Sequence, residues 1–71
     1  MNQCEMILEY MRRYGSITPL EALNELGCMR LGARIWDLRH AGNVIVSERE
    51  DGLNRNGNRV SWSRYYLRGD V

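Results

Sequence analysis

The ten basic residues of this sequence are all arginines, a side chain that binds phosphate groups and guanine through paired hydrogen bonds. They are unevenly placed: residues 28–39 carry +2 (three Arg, one Asp) and residues 52–71 carry +3 (four Arg, one Asp). Residues 1–27 and 40–51 each carry −2. This placement predicts a nucleic-acid contact despite a net charge of only +1. The alternative is that arginine is the general solubilising cation of the chain.

Six residues in these two segments are candidates for contacting double-stranded DNA. In the first segment, Arg30 could make paired contacts to a guanine edge, the most common specific side-chain contact in a major groove, or could be a solvated charge. Arg34 and Asp37 are three residues apart and could simply pair with each other. In the second segment, two arginines stand among Asn and Gly residues, where they would contact phosphate or the minor groove. The predicted DNA-binding residues are Arg30, Ala33, Arg34, Asp37, Arg55 and Arg59.

Residues for catalysis or metal binding form no recognisable pattern. The single histidine, His40, has no cysteine or serine partner in a recognisable frame, and lysine is absent. The glycines are scattered at the ends of predicted elements and do not form a phosphate-binding loop. Cys4 and Cys28 have neither the spacing of a zinc motif nor that of a local disulfide framework. We therefore expect no enzymatic activity, metal, cofactor or small-molecule substrate.

The composition is that of an ordinary globular domain, with 44% hydrophobic and 27% charged residues. With 71 residues, the chain is expected to form a single domain over residues 1–71. No apolar run has the length of a membrane span or the features of a secretory signal, so we expect a cytoplasmic protein with no membrane partner. The two cysteines are expected to be reduced and structural.

The candidate residues of the first segment must be positioned by a helix, which we predict over residues 29–41. At about 100° per residue, Leu31, Ile35 and Leu38 fall on one stripe and form its buried side. The opposite half carries Trp36 and His40 together with most of the candidate residues. We expect Trp36 to be partly buried and His40 to stabilise the C-terminal end of the helix.

A first helix is predicted over residues 3–14. Asn2 can cap its N-terminus, with Glu5 three residues later, and Gly15 supplies a C-terminal cap. Ser16-Ile17 is short enough to be an extended link or a strand of one rung. The apolar face of this helix consists of Ile7, Leu8, Met11 and Tyr14.

A second helix, over residues 19–26, has the clearest start signal in the chain. Thr18-Pro19-Leu20-Glu21 places Thr at the N-cap, Pro at the first helical position and Glu where it can reach back to the cap. Gly27 ends the helix, and only a short turn precedes the next one. This is a helix-turn-helix arrangement, with the second of its helices available to a DNA major groove. The predicted inner face consists of Leu20, Ala22, Leu23 and Leu26.

The remaining chain changes from a helical to a strand pattern. β-Branched and aromatic residues predict strands over residues 44–48 and 59–67, joined by a segment rich in Asn and Gly. The predicted fold is therefore α+β, with three helices followed by a two-stranded β-hairpin wing whose tip is flexible. The apolar parity changes along the second strand, which predicts a bulge or a change of environment near Ser63-Arg64. The predicted core is Ile7, Met11, Leu20, Leu23, Leu31, Ile35, Leu38, Ile45 and Leu67, with Tyr65 also facing inward.

Several of these segments together resemble a known family. The matching stretches are Gly15 to Leu23, Leu26-Gly27-Cys28, Arg30-Leu31, Ala33-Arg34-Ile35, Asp37-Leu38-Arg39 and Gly42. They are similar to the small winged helix-turn-helix proteins of phages and prophages, mainly of Gram-positive bacteria, over about residues 3 to 67. The resemblance implies a winged helix-turn-helix fold and DNA binding. Gly32 is a departure, since the family has Ala there, and Gly inside a helix costs about 0.5–1 kcal/mol relative to Ala.

The residues and the resemblance together predict sequence-specific binding of double-stranded DNA by a phage or prophage transcriptional regulator. A homodimer or cooperative binding is expected, because helix-turn-helix proteins gain affinity by binding two half-sites. The alternative is a protein-interaction module on the same scaffold, such as an inhibitor of a host protein or a directionality factor for recombination, because fold does not decide function.

Overall fold

The computed structural model describes residues 2–69. In chain order its elements are helix α1 (Gln3–Tyr14), strand β1 (Ser16–Ile17), helices α2 (Pro19–Leu26) and α3 (Leu31–His40), and strands β2 (Val44–Leu53) and β3 (Arg59–Gly69). α3 is shorter than predicted at both ends, whereas both long strands extend further than predicted. No helix within residues 2–69 is long and apolar enough to cross a membrane.

The capping residues read from the sequence make the predicted hydrogen bonds. The backbone N–H of Glu5 donates to Asn2 Oδ1 at 2.8 Å. At the start of α2, the N–H of Glu21 donates to Thr18 Oγ1 at 3.2 Å, and the N–H of Thr18 donates to Glu21 Oε1 at 3.0 Å. These reciprocal bonds satisfy two backbone donors that a helix start otherwise leaves unpaired. Gly27 ends α2 in the left-handed conformation that glycine adopts most easily.

The sheet has three antiparallel strands in the order β1-β3-β2, so the prediction of a two-stranded hairpin is wrong. Ser16 pairs with Tyr66, and Ile17 pairs with Tyr65. β1 has only two residues, too few to show a strand period in the sequence. Its pairing with a strand almost fifty residues later is therefore visible only in the folded chain.

The buried core confirms six predicted positions in the helices and β2: Ile7, Met11, Leu31, Ile35, Leu38 and Ile45. Tyr65 and Leu67 are half-buried and pack against this core from β3. Ala22, predicted on the inner face of α2, and Cys28, predicted to be structural, are buried as well, whereas the burial of Ile17 was not predicted. Both cysteines are free thiols, and Cys4 is half-buried.

Leu20 and Leu23 were predicted in the core, but they are 65% and 46% exposed. α2 instead turns Ala22 inward, with Leu26 packed beside the core. At about 100° per residue, Leu20 lies about 120° or more around the helix from both of these residues, so it cannot face the core with them. A short helix offers too few turns for its apolar pattern to fix its rotation. The predicted inward position of Tyr14 on α1 is wrong as well, since this side chain is exposed.

The pairing of β2 with β3 continues without interruption through Ser63 and Arg64, so of the two alternatives predicted there, a bulge or a change of environment, the bulge is wrong. The only register shift between these strands lies between Val44 and Ile45. The apolar parity changes because both faces of β3 are covered. Tyr65 packs against the core from one face, while Arg64 on the other face bonds to Ser16 of β1 and Glu21 of α2.

Candidate nucleic-acid interface

Helix α3 has one buried side and one side open to solvent. Leu31, Ile35 and Leu38 are buried, as their spacing predicts. On the opposite side Trp36 and His40 are exposed, and Ala33 is partly exposed. This outward side is the surface that a helix-turn-helix arrangement offers to a DNA groove.

Arg30 lies at the N-cap position of α3 and is exposed. Among residues 2–69 its guanidinium group has no ion pair. Of the candidate residues on α3, Arg30 is therefore the one whose charge is available to a ligand.

Arg34 and Asp37 pair with each other, with 3.1 Å between Arg34 Nη2 and Asp37 Oδ2. The spacing in the sequence left open whether these two residues pair with each other, and in the structure they form this ion pair. Arg34 Nε is also buried and has no hydrogen-bond partner among the described residues. The pair cancels the charge of Arg34 locally, so these two residues contribute little positive potential to the outward side of α3.

Arg39 connects α3 to the sheet. Its Nε and Nη2 atoms donate to the carbonyl oxygen of Ile45 at 3.0 and 2.9 Å. The guanidinium carbon also lies 6.0 Å from the centre of the Tyr65 ring, within the range of a cation–π interaction. These contacts hold the C-terminal half of α3 against β2 and β3, so Arg39 has a structural role.

Trp36 is 59% exposed, so the prediction that it is partly buried needs correction. Its ring stacks on that of His40, with 3.6 Å between the ring centres and 27° between the planes. His40 Nδ1 lies 2.9 Å from the carbonyl oxygen of Trp36. Because a carbonyl oxygen only accepts, Nδ1 carries the proton and donates. This bond fixes the imidazole beneath the indole ring.

The tip of the wing is a closed turn and has more internal structure than the flexible loop we expected. The N–H of Asn54 donates to the carbonyl oxygen of Asn58, and Asn54 Oδ1 accepts from the N–H groups of Asn56 and Asn58. Gly57 has a φ of +81°, as in a three-residue hairpin loop that ends in a left-handed residue. Arg55 is exposed on this turn and has no ion pair among residues 2–69.

The strands of the wing carry Arg59 and a further arginine that the sequence reasoning missed. Arg59 Nη2 lies 4.0 Å from Asp51 Oδ2, and both side chains are exposed, so this ion pair is weak. Arg49 Nη2 donates to Ser61 Oγ at 2.8 Å across the hairpin. Strand alternation places Arg49 on the same face of β2 as Ile45 and Asp51. This alternation can be read from the sequence, so the position of Arg49 on the wing could have been predicted.

A polar network holds the base of the wing against α2. Arg64 Nε donates to Glu50 Oε2 at 2.9 Å, and its Nη1 donates to Ser16 Oγ at 3.0 Å and to Glu21 Oε1 at 3.4 Å. Trp62 Nε1 donates to Glu50 Oε1 at 2.7 Å. The hydrogen bonds from Arg64 and Trp62 hold the pKa of Glu50 below its ordinary value.

This network could not be found from the sequence, because Arg64 is separated from Ser16 by 48 residues and from Glu21 by 43. Glu21 has two structural roles, since the same carboxylate also completes the N-terminal cap of α2. The network therefore joins the first helix of the helix-turn-helix arrangement directly to the wing. Within residues 2–69, no group of three His, Cys, Asp or Glu residues is placed to hold a metal ion.

Comparison with known families gives one match, which covers almost the whole chain. The profile of a family described as "Winged helix-turn-helix domain" matches residues 2–69. No curated protein and no solved structure matches the sequence. The match agrees with the three helices and the three-stranded sheet described above.

Proposed function

This chain belongs to the winged helix-turn-helix domain family, and we propose that it binds double-stranded DNA with sequence specificity. The observation that carries the proposal is the outward side of α3. It is exposed, it has no part in the core, and it begins at Arg30, whose guanidinium group has no ion pair within the described chain. Family membership supports DNA binding as the use of this side.

In the proposed complex, α3 enters the major groove and the wing contacts the backbone or minor groove alongside it. Arg30 contacts a base edge, because it is exposed at the start of α3 and its guanidinium group presents a planar fork of hydrogen-bond donors. Arg55 and Arg59 contact phosphates and position the protein without reading sequence. Ala33 lies on the side of α3 that faces the groove. Arg34 and Asp37 act mainly as an ion pair at the edge of that side.

A selection from random duplex DNA at two salt concentrations tests the proposal without any assumption about the site. We expect an enriched sequence and an affinity that falls as salt rises. On the selected site, Arg30→Ala should cost about 1–3 kcal/mol and relax the preference at particular base pairs. Arg55→Ala and Arg59→Ala should weaken binding to every sequence and each lower the salt slope by about 1.

Arg13→Ala is the matched control, because it removes the same charge from the exposed end of α1. This variant should leave the preferred sequence unchanged. If the selection enriches no sequence and micromolar protein shows no salt-dependent binding, the proposed function is wrong.

The biological role that we propose is that of a transcriptional regulator of a phage or prophage, acting in the cytoplasm without enzymatic activity. The phage or prophage role rests on the resemblance of the sequence segments alone, whereas the family match supports DNA binding. A reporter gene placed behind the selected DNA site should change its expression when the protein is supplied. Arg30→Ala should remove that change.

A second candidate function is binding to another protein, and it is favoured by an exposed apolar surface beside α2. Leu20, Leu23 and Met29 are exposed, and together with Trp62 they line an open groove between α2 and the wing. Exposed apolar patches of this kind often mark interaction sites. Protein binding without any salt-dependent DNA binding would favour this function over the first.

A further inference from the structure

We propose that Trp36 is a specificity-determining residue that reads thymine through its C5 methyl group, with His40 as the residue that positions the indole ring. This inference deepens the DNA-binding function proposed above and rests on it. It names the base that the outward side of α3 selects.

Trp36 lies on the outward side of α3. At about 100° per residue it lies on the side opposite the buried stripe of Leu31, Ile35 and Leu38. Its large side chain is 59% exposed and has no place in the core. An exposed tryptophan on the groove-facing side of the helix is therefore placed to contact a ligand directly.

The indole ring of Trp36 is held in place before any ligand binds. It stacks on the imidazole of His40 at 3.6 Å, and the imidazole is in turn bonded through Nδ1 to the carbonyl oxygen of Trp36. A side chain that is already ordered loses little conformational freedom on binding. The stack thus supplies a rigid apolar surface on α3.

The residues around Trp36 on α3 bring no net charge to this side of the helix. Residues 32 and 33 are Gly and Ala, and a Cβ built at Gly32 meets nothing within 4 Å, so the space above residue 32 is open. The charge of Arg34 is cancelled by Asp37. This part of α3 therefore carries no net charge, and the indole ring is its large apolar group. In the major groove, the distinctive apolar feature of the base edges is the C5 methyl group of thymine.

The test replaces thymine by uracil, one position at a time, in the site obtained by selection. Uracil keeps the hydrogen-bonding groups of thymine and lacks only the methyl group. We expect at least one thymine whose replacement weakens wild-type binding about fourfold, the value for one buried methyl-sized group. Trp36→Ala should bind the thymine duplex more weakly and should show no difference between the two duplexes.

His40→Ala separates the role of the stack from that of the indole itself. Without the imidazole the ring is no longer held, so the difference between the thymine and uracil duplexes should shrink, and His40→Phe should restore most of it. Leu53→Ala is the matched control, because it removes an exposed apolar side chain from the wing and should leave the difference unchanged.

Three results overturn the inference while leaving DNA binding intact. They are a selected site without thymine, equal wild-type affinity for the two duplexes at every position, and a Trp36→Ala protein that keeps the full difference. If Trp36→Ala instead changes only the sedimentation of the free protein, Trp36 belongs to a contact between copies of the chain and the inference is wrong. Absence of any salt-dependent binding to DNA shows that the proposed function itself has failed.

Discussion

The arginines of this chain divide into those that the fold uses and those that remain available. Arg39 donates to the Ile45 carbonyl group, Arg64 binds two carboxylates, and Arg34 is paired with Asp37. The formal charge of residues 28–39 therefore overstates the positive potential that α3 presents. In the proposed complex the cationic contacts therefore come mostly from Arg30, which contacts a base edge, and from the arginines of the wing, which contact phosphates.

Gly32→Ala should stabilise the protein by about 0.5–1 kcal/mol. Gly32 lies in the first turn of α3, is exposed, and has open space where a Cβ would be. Alanine loses less conformational freedom than glycine when a helix forms. Chemical denaturation measures the change in the free energy of unfolding.

Gly57→Ala is the control for this substitution. A Cβ at Gly57 also meets nothing within 4 Å, but the backbone has a φ of +81°, which an L-residue adopts with strain. This variant should be destabilised. Equal effects of the two substitutions would contradict the conformational argument.

Leu38→Ala should destabilise the fold by about 2–5 kcal/mol, because Leu38 is buried and its truncation leaves a cavity. Leu20→Ala removes the same atoms from a residue that is largely exposed, so it should change stability by less than about 0.5 kcal/mol. Urea denaturation of both variants measures the difference. Similar values for the two would mean that the faces of α2 and α3 are assigned incorrectly.

At the scale of elements, the wing depends on contacts at its base for its orientation. In the part of the wing away from the core, β2 and β3 contact each other and the side chains of the polar network around Arg64. The indole ring of Trp62 lies directly over Gly52, where a Cβ would come within 2.8 Å of the ring. Glycine at this position lets the Trp62 ring approach β2 this closely while its Nε1 donates to Glu50. The wing is thus held as a rigid extension of the sheet.

The network at the base of the wing should make stability depend on pH through Glu50. Hydrogen bonds from Arg64 and Trp62 lower the pKa of Glu50 from its ordinary value of 4.5 in the folded protein. A carboxyl group whose pKa is lowered by folding stabilises the fold fully above its unfolded pKa. This contribution is lost as the pH falls from about 4.5 through the folded pKa.

Glu50→Gln should remove this contribution, so the difference in stability between wild type and variant should shrink as the pH falls below 4.5. Thermal denaturation between pH 3 and pH 7 follows it. Glu48→Gln is the control, because Glu48 is an exposed carboxylate on the same strand. A difference between wild type and Glu50→Gln that stays constant over this range would contradict the role of the carboxylate.

At the scale of the whole molecule, the helices and one end of the sheet form the core, and the hairpin projects from it. The extents are 40 × 22 × 20 Å, so the long axis is about twice the others. An elongated shape separates the outward side of α3 from the tip that carries Arg55. A single copy with this shape can span neighbouring grooves of a duplex but can contact few base pairs with α3.

We therefore propose that two copies bind one DNA site. Paired half-sites in helix-turn-helix complexes lie about 34–36 Å apart, or about one turn of the duplex. β3 is the central strand of the sheet, so over Tyr65 and Tyr66 both its edges are occupied and pairing of C-terminal strands is blocked there. We expect α1 to supply the contact between the copies.

Sedimentation of the protein with a duplex carrying the selected site should show two protomers per duplex. A duplex cut to one half-site should bind one protomer with lower affinity. A strict monomer that binds the complete site with unit stoichiometry would rule out this assembly.

The sequence by itself determined the features that depend on neighbouring residues. The caps at Asn2 and Thr18, the glycine that ends α2 and the buried stripe of α3 are all local signals, because each involves residues within one or two turns of a helix. The helix-turn-helix arrangement follows from these signals. Its candidate DNA-contacting residues follow from the outward side of α3 and the composition of the wing tip.

Only the tertiary structure decided the features that depend on distant residues. It added β1 to the sheet, turned Leu20 outward and engaged Arg64 with Ser16 and Glu21. It also left Trp36 exposed and stacked on His40. The physical reason is that the rotation of a short helix and the pairing of a two-residue strand are fixed by packing and by hydrogen bonds between residues far apart in the chain, which no local pattern records.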